Sequence, residues 1–446
     1  TDIVSRSIMS DSNKPLFSRP VLAAIMLFCT LAIWLLNLMG PSSKLPTPHI
    51  ETWTTTSGIP VIWLKQEQWK NSNKLEIRFS FRSVTTDTTL IQTTLAMLMS
   101  DSLPLSTASI NQRLTPLAAR ASSYYDHENQ TIGLTLSNEP KYLIPTLTLV
   151  SNWLKNPDFK HRTFDNWQRQ HQNNLPAKHE LERVLFLDKN KQQDISKMAN
   201  VSLEQVSNYY HSLKMSAASI FIIGEMSPDA KQTVQGAINL ISQDYRLSKT
   251  SAEAILYEPL STVIQKNEGD LWQTRSAMAL MPVSSVKEWI SLQLWGADLV
   301  STLNKQQHID FVQLALTLSP QRPWAWWNIQ YGDKVTAVSN EPSGEKNRFI
   351  NAKSLIFVEQ VPSVKDEKAF QTRLDTFKQQ LEQQTLSPTW WSSIATQVTH
   401  EDGQLTLEQF ANSYQEAMDS FSMEDYQTAL KHLLKPSSYQ EIQVYQ

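Results

Sequence analysis

The sequence predicts an α+β protein in which two similar halves follow one long apolar segment. Three observations support this prediction. Short stretches alternate apolar and polar residues as strands do, longer stretches carry apolar residues at helical spacing, and one helix–strand arrangement occurs twice. The chain has 446 residues, of which 41% are apolar and 19% are charged. It is therefore long enough for two or three domains and unlike a disordered protein.

Charge, glycine content and cysteine content exclude several functional classes. The net charge is −3, so no basic excess indicates nucleic-acid binding. The chain has only 10 glycines, and it contains neither a glycine-rich phosphate-binding motif nor the G-x-S-x-G motif of serine hydrolases. The one cysteine, Cys29, lies in the apolar segment, which excludes an internal disulfide and a cysteine-based zinc site.

The apolar segment Val21–Gly40 contains no charged residue. As a helix it would span roughly 30 Å, the thickness of a bilayer's hydrocarbon core. Three cationic residues precede the segment and one follows within twenty residues: Arg6, Lys14 and Arg19, and then Lys44. This asymmetry predicts a single-pass anchor with a cytoplasmic N-terminus and the body on the other side. A cleaved signal peptide and a buried core helix are the competing interpretations, but the run is longer than a usual signal sequence.

Alternating residues predict a sheet in the part that follows. In Lys74–Arg82 every second residue is apolar, which predicts a strand with one buried and one solvent-exposed face. Thr131–Ser137 repeats the pattern. Helical spacing predicts helices around Leu90–Met99, Ser109–Ala119 and Tyr142–Lys155, the last of them ended by Asn156-Pro157.

One helix followed by one strand occurs near the middle of the chain and again at its end. In the first copy Ser202 and Gln205 form a capping box, in which two side chains satisfy free N–H groups at the helix start. In the second copy, 220 positions later, Ser422 and Asp425 take these places. The strands after the two helices are predicted at Ser219–Gly224 and Tyr439–Val444. The repeat indicates an internal duplication.

The duplication gives the predicted domain organisation. The predicted segments are a cytoplasmic segment 1–20, a transmembrane helix 21–40, a proline-containing spacer 41–49, a first domain 50–246, a linker 247–265 and a second domain 266–446. In the second domain, strands are predicted at Thr274–Val283 and Ser354–Gln360, and helices at Trp289–Leu303 and Lys368–Gln384.

Several sequence stretches of the two predicted domains resemble the M16 family of insulinases and processing peptidases. They are the opening strand Gly58–Leu64, the stretch Leu117–Leu136, the Asn156–Phe159 phrase after the next helix, and Ser202–Gly224. Their order, spacing and duplication extend the resemblance from about Ile50 to Gln446. It implies two M16-like α+β domains that together form a clam-like body.

Active members of this family carry H-x-x-E-H on the helix after the first long strand. The two histidines hold zinc, and the glutamate acts on water. The corresponding residues here are Gln92-Thr93-Thr94-Leu95-Ala96, and no histidine lies between His49 and His127. Leucine and alanine side chains cannot bind a metal or act as a base. The resemblance therefore implies an inactive homologue with no catalytic residues, no metal and no other cofactor.

Active members also use an Arg and a Tyr of the second half, seven positions apart, to bind the substrate backbone. The matching stretch is Leu318–Trp326, which places Ser319 and Trp326 at these positions. This correspondence implies that groups holding the peptide are lost as well.

Other groups of potential ligand residues have simpler interpretations. His171, His179, Glu180 and Glu182 are the densest cluster, and a solvated charged loop or helix start explains them better than a metal site. The pairs and triplets at His127-Glu128 and His400-Glu401-Asp402 lie in turn-like contexts. The tryptophans of the second half, Trp289, Trp295, Trp324, Trp326 and Trp327, are predicted to be core residues, with a partner surface as the alternative.

The resemblance also carries an expectation about function. Inactive chains of this family often pair with an active H-x-x-E-H chain, so we expect a partner or regulatory subunit of such a zinc peptidase, in a bacterial inner membrane with a periplasmic body. A structural scaffold of a membrane complex is the second hypothesis. A peptidase with a relocated metal site is the third.

Overall fold

The alternating stretch Lys74–Arg82 forms an inner strand of a six-stranded sheet, as the sequence predicts. The strands of this first sheet are β1 His49–Thr54, β2 Pro60–Lys65, β3 Lys74–Arg82, β4 Arg120–Tyr125, β5 Asn129–Ser137 and β6 Ala217–Ile223. Their order is β1-β2-β6-β3-β5-β4, with β2 and β6 parallel and all other neighbours antiparallel.

The structure is a computed structural model. It describes residues 45–126, 128–171, 176–186, 200–248, 257–306, 309–335, 366–398 and 405–446. Pro46–Gln446 forms one compact unit. The predicted transmembrane helix and the strand predicted at Ser354–Gln360 lie outside the described residues. Within the described parts, no helix is both long and apolar enough to cross a bilayer.

Seven α-helices accompany the first sheet within these residues. They are α1 Thr88–Met99, α2 Ile110–Leu114, α3 Pro140–Lys155, α4 His161–His171, α5 Ala177–Leu185, α6 Leu203–Lys214 and α7 Pro228–Ile241. The predicted capping box is present at α6, where Ser202 and Gln205 satisfy each other's backbone N–H groups. The helix predicted over Ser109–Ala119 is shorter. It ends at Leu114 and continues as a 3₁₀ turn, because Pro116 lacks an N–H donor.

The core of the first half lies between the sheet and these helices. Leu75, Ile77 and Phe79 of β3 belong to one apolar cluster with residues of α1, α3 and α7. These are the apolar positions of the alternating pattern, so the buried face of β3 is the predicted one.

The second half is built on a five-stranded sheet. Its strands are β7 Thr262–Lys266, β8 Leu271–Ala279, β9 Ile309–Thr317, β10 Trp324–Val335 and β11 Gln440–Tyr445, in the order β7-β11-β8-β10-β9. Its helices are α8 Val286–Leu303, α9 Glu367–Gln384, α10 Pro388–Ala395, α11 Leu407–Asp419 and α12 Met423–Leu433. The strand predicted at Thr274–Val283 starts three residues earlier and ends at Ala279.

Apart from the additional strand β1, the two sheets share one strand order, which explains the repeated helix–strand segment. Strand β6 follows α6 and enters the first sheet between β2 and β3. Strand β11 follows α12 and enters the second sheet between β7 and β8. Each copy therefore supplies the strand that completes the middle of its sheet. The domain boundaries themselves stay a prediction, and β7 overlaps the end of the predicted linker 247–265.

Each half also covers the sheet of the other with a helix. Helix α5 of the first half packs on β8 and β11, where Leu181 and Leu185 share an apolar cluster with Ala277 and Ile442. Helix α10 of the second half packs on β3 and β6. The prediction that this other face of β3 is solvent-exposed is therefore wrong in part: α10 covers the face and Glu76 is buried, while its remaining polar residues are half-buried.

Candidate functional site

Helix α1 follows β3, where active M16 peptidases carry H-x-x-E-H, and it packs beside the edge strand β4. Leu95, at the position of the catalytic glutamate, is 2% exposed and belongs to the apolar core of the first half. Gln92 and Ala96, at the positions of the histidines, are half-buried on one face of the helix. The Oε1 atom of Gln92 is buried and has no hydrogen-bond partner among the described residues.

The densest cluster of potential ligands is buried, so the prediction that it is solvated is wrong. His179, Glu180 and Glu182 lie on α5 and are buried between the halves. Glu180 forms ion pairs with Lys266 and with Arg275 of the second sheet, the latter at 2.9 Å. The burial of Glu180 is possible because these two cations pair with its charge, and both come from the other half of the chain.

His171 lies apart from this group at the end of α4, where its ring stacks on Trp167 with 4.5 Å between centroids. Across the residues that the structure describes, no group of three or more His, Cys, Asp or Glu side chains is placed to hold a metal ion. His127 and the His400–Asp402 triplet fall outside the described ranges.

A cavity of about 320 Å³ lies where the two halves meet. Its floor is the polar face of the first sheet, and its other walls are α10 and the end of β9 with the turn that follows. The residues that line it are mostly hydroxylic, together with one arginine, one aspartate, one glutamine, one glycine and two leucines: Arg78, Ser122, Tyr124, Asp126, Thr131, Gly133, Leu316, Leu318, Ser319, Thr389, Ser392, Ser393, Thr396 and Gln397.

The charged side chains on the floor form a network around Glu76. This glutamate is 0% exposed. Its carboxylate accepts hydrogen bonds from Arg78 Nη2 at 2.8 Å, from Thr135 Oγ1 at 2.9 Å and from Thr389 Oγ1 at 2.8 Å, and Lys74 Nζ lies 3.3 Å away. Arg78 Nη2 also donates to Ser392 Oγ at 3.1 Å. Because Thr389 and Ser392 belong to α10, this network joins the two halves.

Arg78 reaches across the sheet because its neighbour on β5 is a glycine. Arg78, Gly133 and Ser122 stand in register on β3, β5 and β4. A Cβ atom at Gly133 would lie 2.1 Å from Arg78 Nη1 and 2.8 Å from Ser122 Oγ. The guanidinium therefore occupies the space that any other residue at 133 would fill. Burial lowers the pKa of Arg78, while Glu76 opposes that shift.

Two carboxyl groups lie in the turn between β4 and β5. Asp126 Oδ1 accepts hydrogen bonds from the backbone N–H of Glu128 and Asn129, at 2.7 and 2.6 Å. Burial and the nearby Glu128 carboxyl raise the pKa of Asp126 to about 7. Glu128 Oε2 accepts from the backbone N–H of Gln321 at 2.7 Å and of Arg322 at 3.3 Å, and burial raises its pKa too.

Glu128 therefore joins the first half to the turn after β9, and it is more than the turn residue that the sequence suggests. Sequence reasoning missed Arg78 and Asp126 as parts of a site. The charged residues of the alternating strand β3 were the available signal for Arg78, but they were predicted to be exposed to solvent.

The structure separates the two residues predicted at the positions of the family's Arg and Tyr. Ser319 follows β9, is 4% exposed and lines the cavity, and its Oγ has no hydrogen-bond partner among the described residues. Trp326 is partly buried on β10 and packs against the apolar cluster around α5. Trp289, Trp295, Trp324 and Trp327 are buried, so the prediction that these are core residues is confirmed.

Sequence comparison and structure comparison give different results. No protein family model matches the sequence, and no curated protein is similar to it. Among solved structures, a protease from Helicobacter pylori has a TM-score of 0.68 at 9% identity, over 90% of this chain and 100% of that chain. The peptidase M16 inactive domain from Pseudomonas fluorescens has a TM-score of 0.65 at 14% identity, over 89% and 98% of the two chains. The chain has the fold of the M16 peptidases.

A longer protease chain gives a similar match. The periplasmic protease PqqL from Escherichia coli has a TM-score of 0.61 at 13% identity, over 91% of this chain but only 47% of that chain. At these identities the comparisons establish the M16 fold alone.

Proposed function

We propose that this protein is a non-catalytic M16 homologue that serves as partner or regulatory subunit of an active H-x-x-E-H zinc peptidase. Residues 21–40 anchor it as a single-pass protein in a bacterial inner membrane, with a cytoplasmic N-terminus and a periplasmic body. The partner supplies the zinc ion and the general base, and this chain supplies the second M16 unit of the assembly.

The observation that carries the proposal is the environment of Leu95. The M16 fold is kept over the described body, yet the position of the family's catalytic glutamate is occupied by a core leucine. The side chain of the neighbouring Ala96 has no atom that binds a metal. The match to PqqL supports a two-unit assembly, since this chain spans about half of that protease.

The partner is tested by extraction from the native membrane in mild detergent and mass spectrometry of what co-purifies. We expect a near-stoichiometric chain that carries H-x-x-E-H, whose zinc-dependent peptide hydrolysis rises when this protein is added. Replacing the glutamate of the partner's motif should abolish the activity of the complex, which shows where the chemistry occurs. Zinc-dependent hydrolysis by this chain alone would contradict the proposal. A membrane assembly without an active M16 chain would favour the scaffold.

The predicted topology is tested with single-cysteine variants, because Cys29 is the only native cysteine. In a Cys29→Ala background, Leu105→Cys places a thiol at a fully exposed site on the body, and Ser7→Cys places one before the apolar segment. A maleimide that cannot cross the inner membrane should label Leu105→Cys in whole cells and spare Ser7→Cys. The reverse labelling pattern would refute the proposed orientation.

A further inference from the structure

Two turns, one from each half, meet at a corner of the cavity between the halves. The β4–β5 turn contributes Asp126 to the lining of the cavity, and the turn between β9 and β10 contributes Ser319. Glu128 joins the two turns, because its Oε2 atom accepts hydrogen bonds from the backbone N–H groups of Gln321 and Arg322, at 2.7 and 3.3 Å. One carboxylate of the first half therefore holds a turn of the second half.

A second carboxyl group lies two positions earlier in the same β4–β5 turn. Asp126 is 3% exposed, and its Oδ1 atom accepts hydrogen bonds from the backbone N–H groups of Glu128 and Asn129. Two acids therefore share one short turn, and like charges that are buried close together repel strongly, because little water screens them. Ionisation of Asp126 should thus act against the carboxylate of Glu128, which holds the other turn.

The charged and titratable groups around these two carboxyls offset the repulsion only in part. They are Tyr124 of β4, Arg82 of β3, Lys178 and Glu182 of α5, with His179 at 3.5 Å from Glu182, and Arg322 of the turn between β9 and β10. Burial and Glu128 raise the pKa of Asp126 to about 7, and Lys178 opposes that shift. Burial also raises the pKa of Glu128, although Arg82 and Arg322 lower it. His127, in the same turn, lies outside the described residues.

We propose that the turn carrying Asp126 and Glu128 is a pH-controlled latch between the two halves. While Asp126 is protonated, Glu128 holds the turn between β9 and β10, and this corner of the cavity is closed. When Asp126 loses its proton, the repulsion between the two carboxylates releases Gln321 and Arg322, and the β9–β10 turn moves away from the cavity. The latch requires neither a metal nor a second chain, so it stands independently of the proposed partner role.

Rising pH should favour the open latch, because the closed latch holds a proton that the open latch releases. Opening exposes Asp126 to water, where its pKa returns from about 7 toward the ordinary value of 3.8. Between these two values the closed state binds one proton more than the open state. The equilibrium constant for opening should therefore rise about tenfold per pH unit between pH ~4 and pH ~7, and level off above pH ~7.

The test measures how accessible position 319 is, in the full chain in detergent with a Cys29→Ala background. Ser319 is 4% exposed, and its Oγ has no hydrogen-bond partner in the described chain, so Ser319→Cys removes no described contact. The new thiol reacts with methyl methanethiosulfonate only when the turn opens. If closing is faster than labelling, the labelling rate is proportional to the equilibrium constant for opening. The fully exposed Leu105→Cys, in the same background, corrects for the pH dependence of the thiol itself.

Two further variants assign the opening to the latch. We expect the corrected labelling rate of Ser319→Cys to rise about a hundredfold between pH 5 and pH 7. Adding Asp126→Asn should keep the rate at its low-pH value throughout, since asparagine accepts the same two backbone hydrogen bonds without a charge. Adding Glu128→Ala instead removes the carboxylate that holds the turn, so the rate at pH 5 should rise about tenfold or more. A rate that does not depend on pH, or the same pH dependence with Asp126→Asn, would overturn the proposal.

A cysteine in the core separates local opening of the latch from unfolding of the whole body. Ser151 is 4% exposed on α3 of the first half, so the thiol of Ser151→Cys becomes accessible only when this half unfolds. Its corrected labelling rate should stay well below that of Ser319→Cys at every pH. Equal rates at the two positions would refute the latch, because both thiols would then report global unfolding.

Discussion

Asp126 should make the stability of this protein fall as the pH rises toward neutrality. Its carboxyl is buried, and burial together with Glu128 raises its pKa from 3.8 to about 7. The folded state therefore holds a proton that the unfolded chain releases near pH 4. The resulting stabilisation is complete below pH ~4 and is lost as the pH rises through ~7. A difference of about three pKa units corresponds to about 4 kcal/mol at 1.36 kcal/mol per unit.

Asp126→Asn isolates this effect, because an asparagine Oδ1 can accept the same two backbone hydrogen bonds without a charge. We expect the variant and the wild type to be equally stable near pH 4, and the variant to be more stable at pH 8 by about 2–4 kcal/mol. The unfolding entropy of ~2.1 cal/mol/K per residue makes this a shift of roughly 2–5 °C for a body of about 400 residues.

The measurement is the thermal midpoint of both proteins between pH 4 and pH 8, with the exposed Asp375→Asn as control. The thermal midpoint of the variant should still fall with rising pH, but less steeply than that of the wild type, because burial also raises the pKa of Glu128. A difference between variant and wild type that does not change across this range would refute the assignment of a raised pKa to Asp126.

Three further substitutions test packing. Gly133→Ala should lower the free energy of unfolding by about 1–3 kcal/mol, because its Cβ would lie 2.1 Å from Arg78 Nη1. Gly236→Ala, in the middle of α7 with no atom within 4 Å of its Cβ, should instead raise it by about 0.5–1 kcal/mol. Glu180→Ala should cost about 1–3 kcal/mol, since it removes the buried partner of Arg275 and of a second cation. Thermal midpoints at pH 7 check all three, and equal midpoints for the two glycine variants would contradict the packing argument.

The sequence predicted those features that depend on neighbouring residues. The bounds of β3 match the prediction because its alternation comes from one continuous strand. The capping boxes at Ser202 and Ser422 are present because capping involves only residues three positions apart. The duplication was predictable from the sequence for the same reason, since each copy is one helix followed directly by one strand.

Features that depend on the distant half were not predictable from local pattern. The polar residues of β3 and the acids of α5 look like solvated residues in the sequence. Each group is covered by a helix or sheet from the other half, with partners such as Thr389 for the buried Glu76 and Arg275 for the buried Glu180. A charged residue is predicted to be exposed unless its partner is known. Here Arg275 lies 95 positions from Glu180, and Thr389 lies 313 positions from Glu76. The cavity that Arg78 and Ser319 line was hidden by the same limitation.

The environment of Leu95 predicts that the family's metal motif cannot be restored by side chains alone. Leu95→Glu would place a carboxyl among apolar core residues, where the lost leucine packing costs about 2–5 kcal/mol and the buried polar group adds to it. Leu105→Glu, at a site that is 104% exposed, should leave stability within about 0.5 kcal/mol. Gln92→His and Ala96→His, at half-buried positions, should cost less than Leu95→Glu.

We therefore expect the triple variant Gln92→His, Leu95→Glu and Ala96→His to unfold at a clearly lower temperature and to gain no zinc-dependent peptidase activity. Unfolding midpoints and zinc content by mass spectrometry give the two readouts. A triple variant of wild-type stability that binds stoichiometric zinc and cleaves peptides would contradict this prediction. It would show that α1 can hold the side chains of a zinc site in place. In that case the inactivity that we propose for this chain would rest on three side chains alone, and the apolar core around Leu95 would have no part in it.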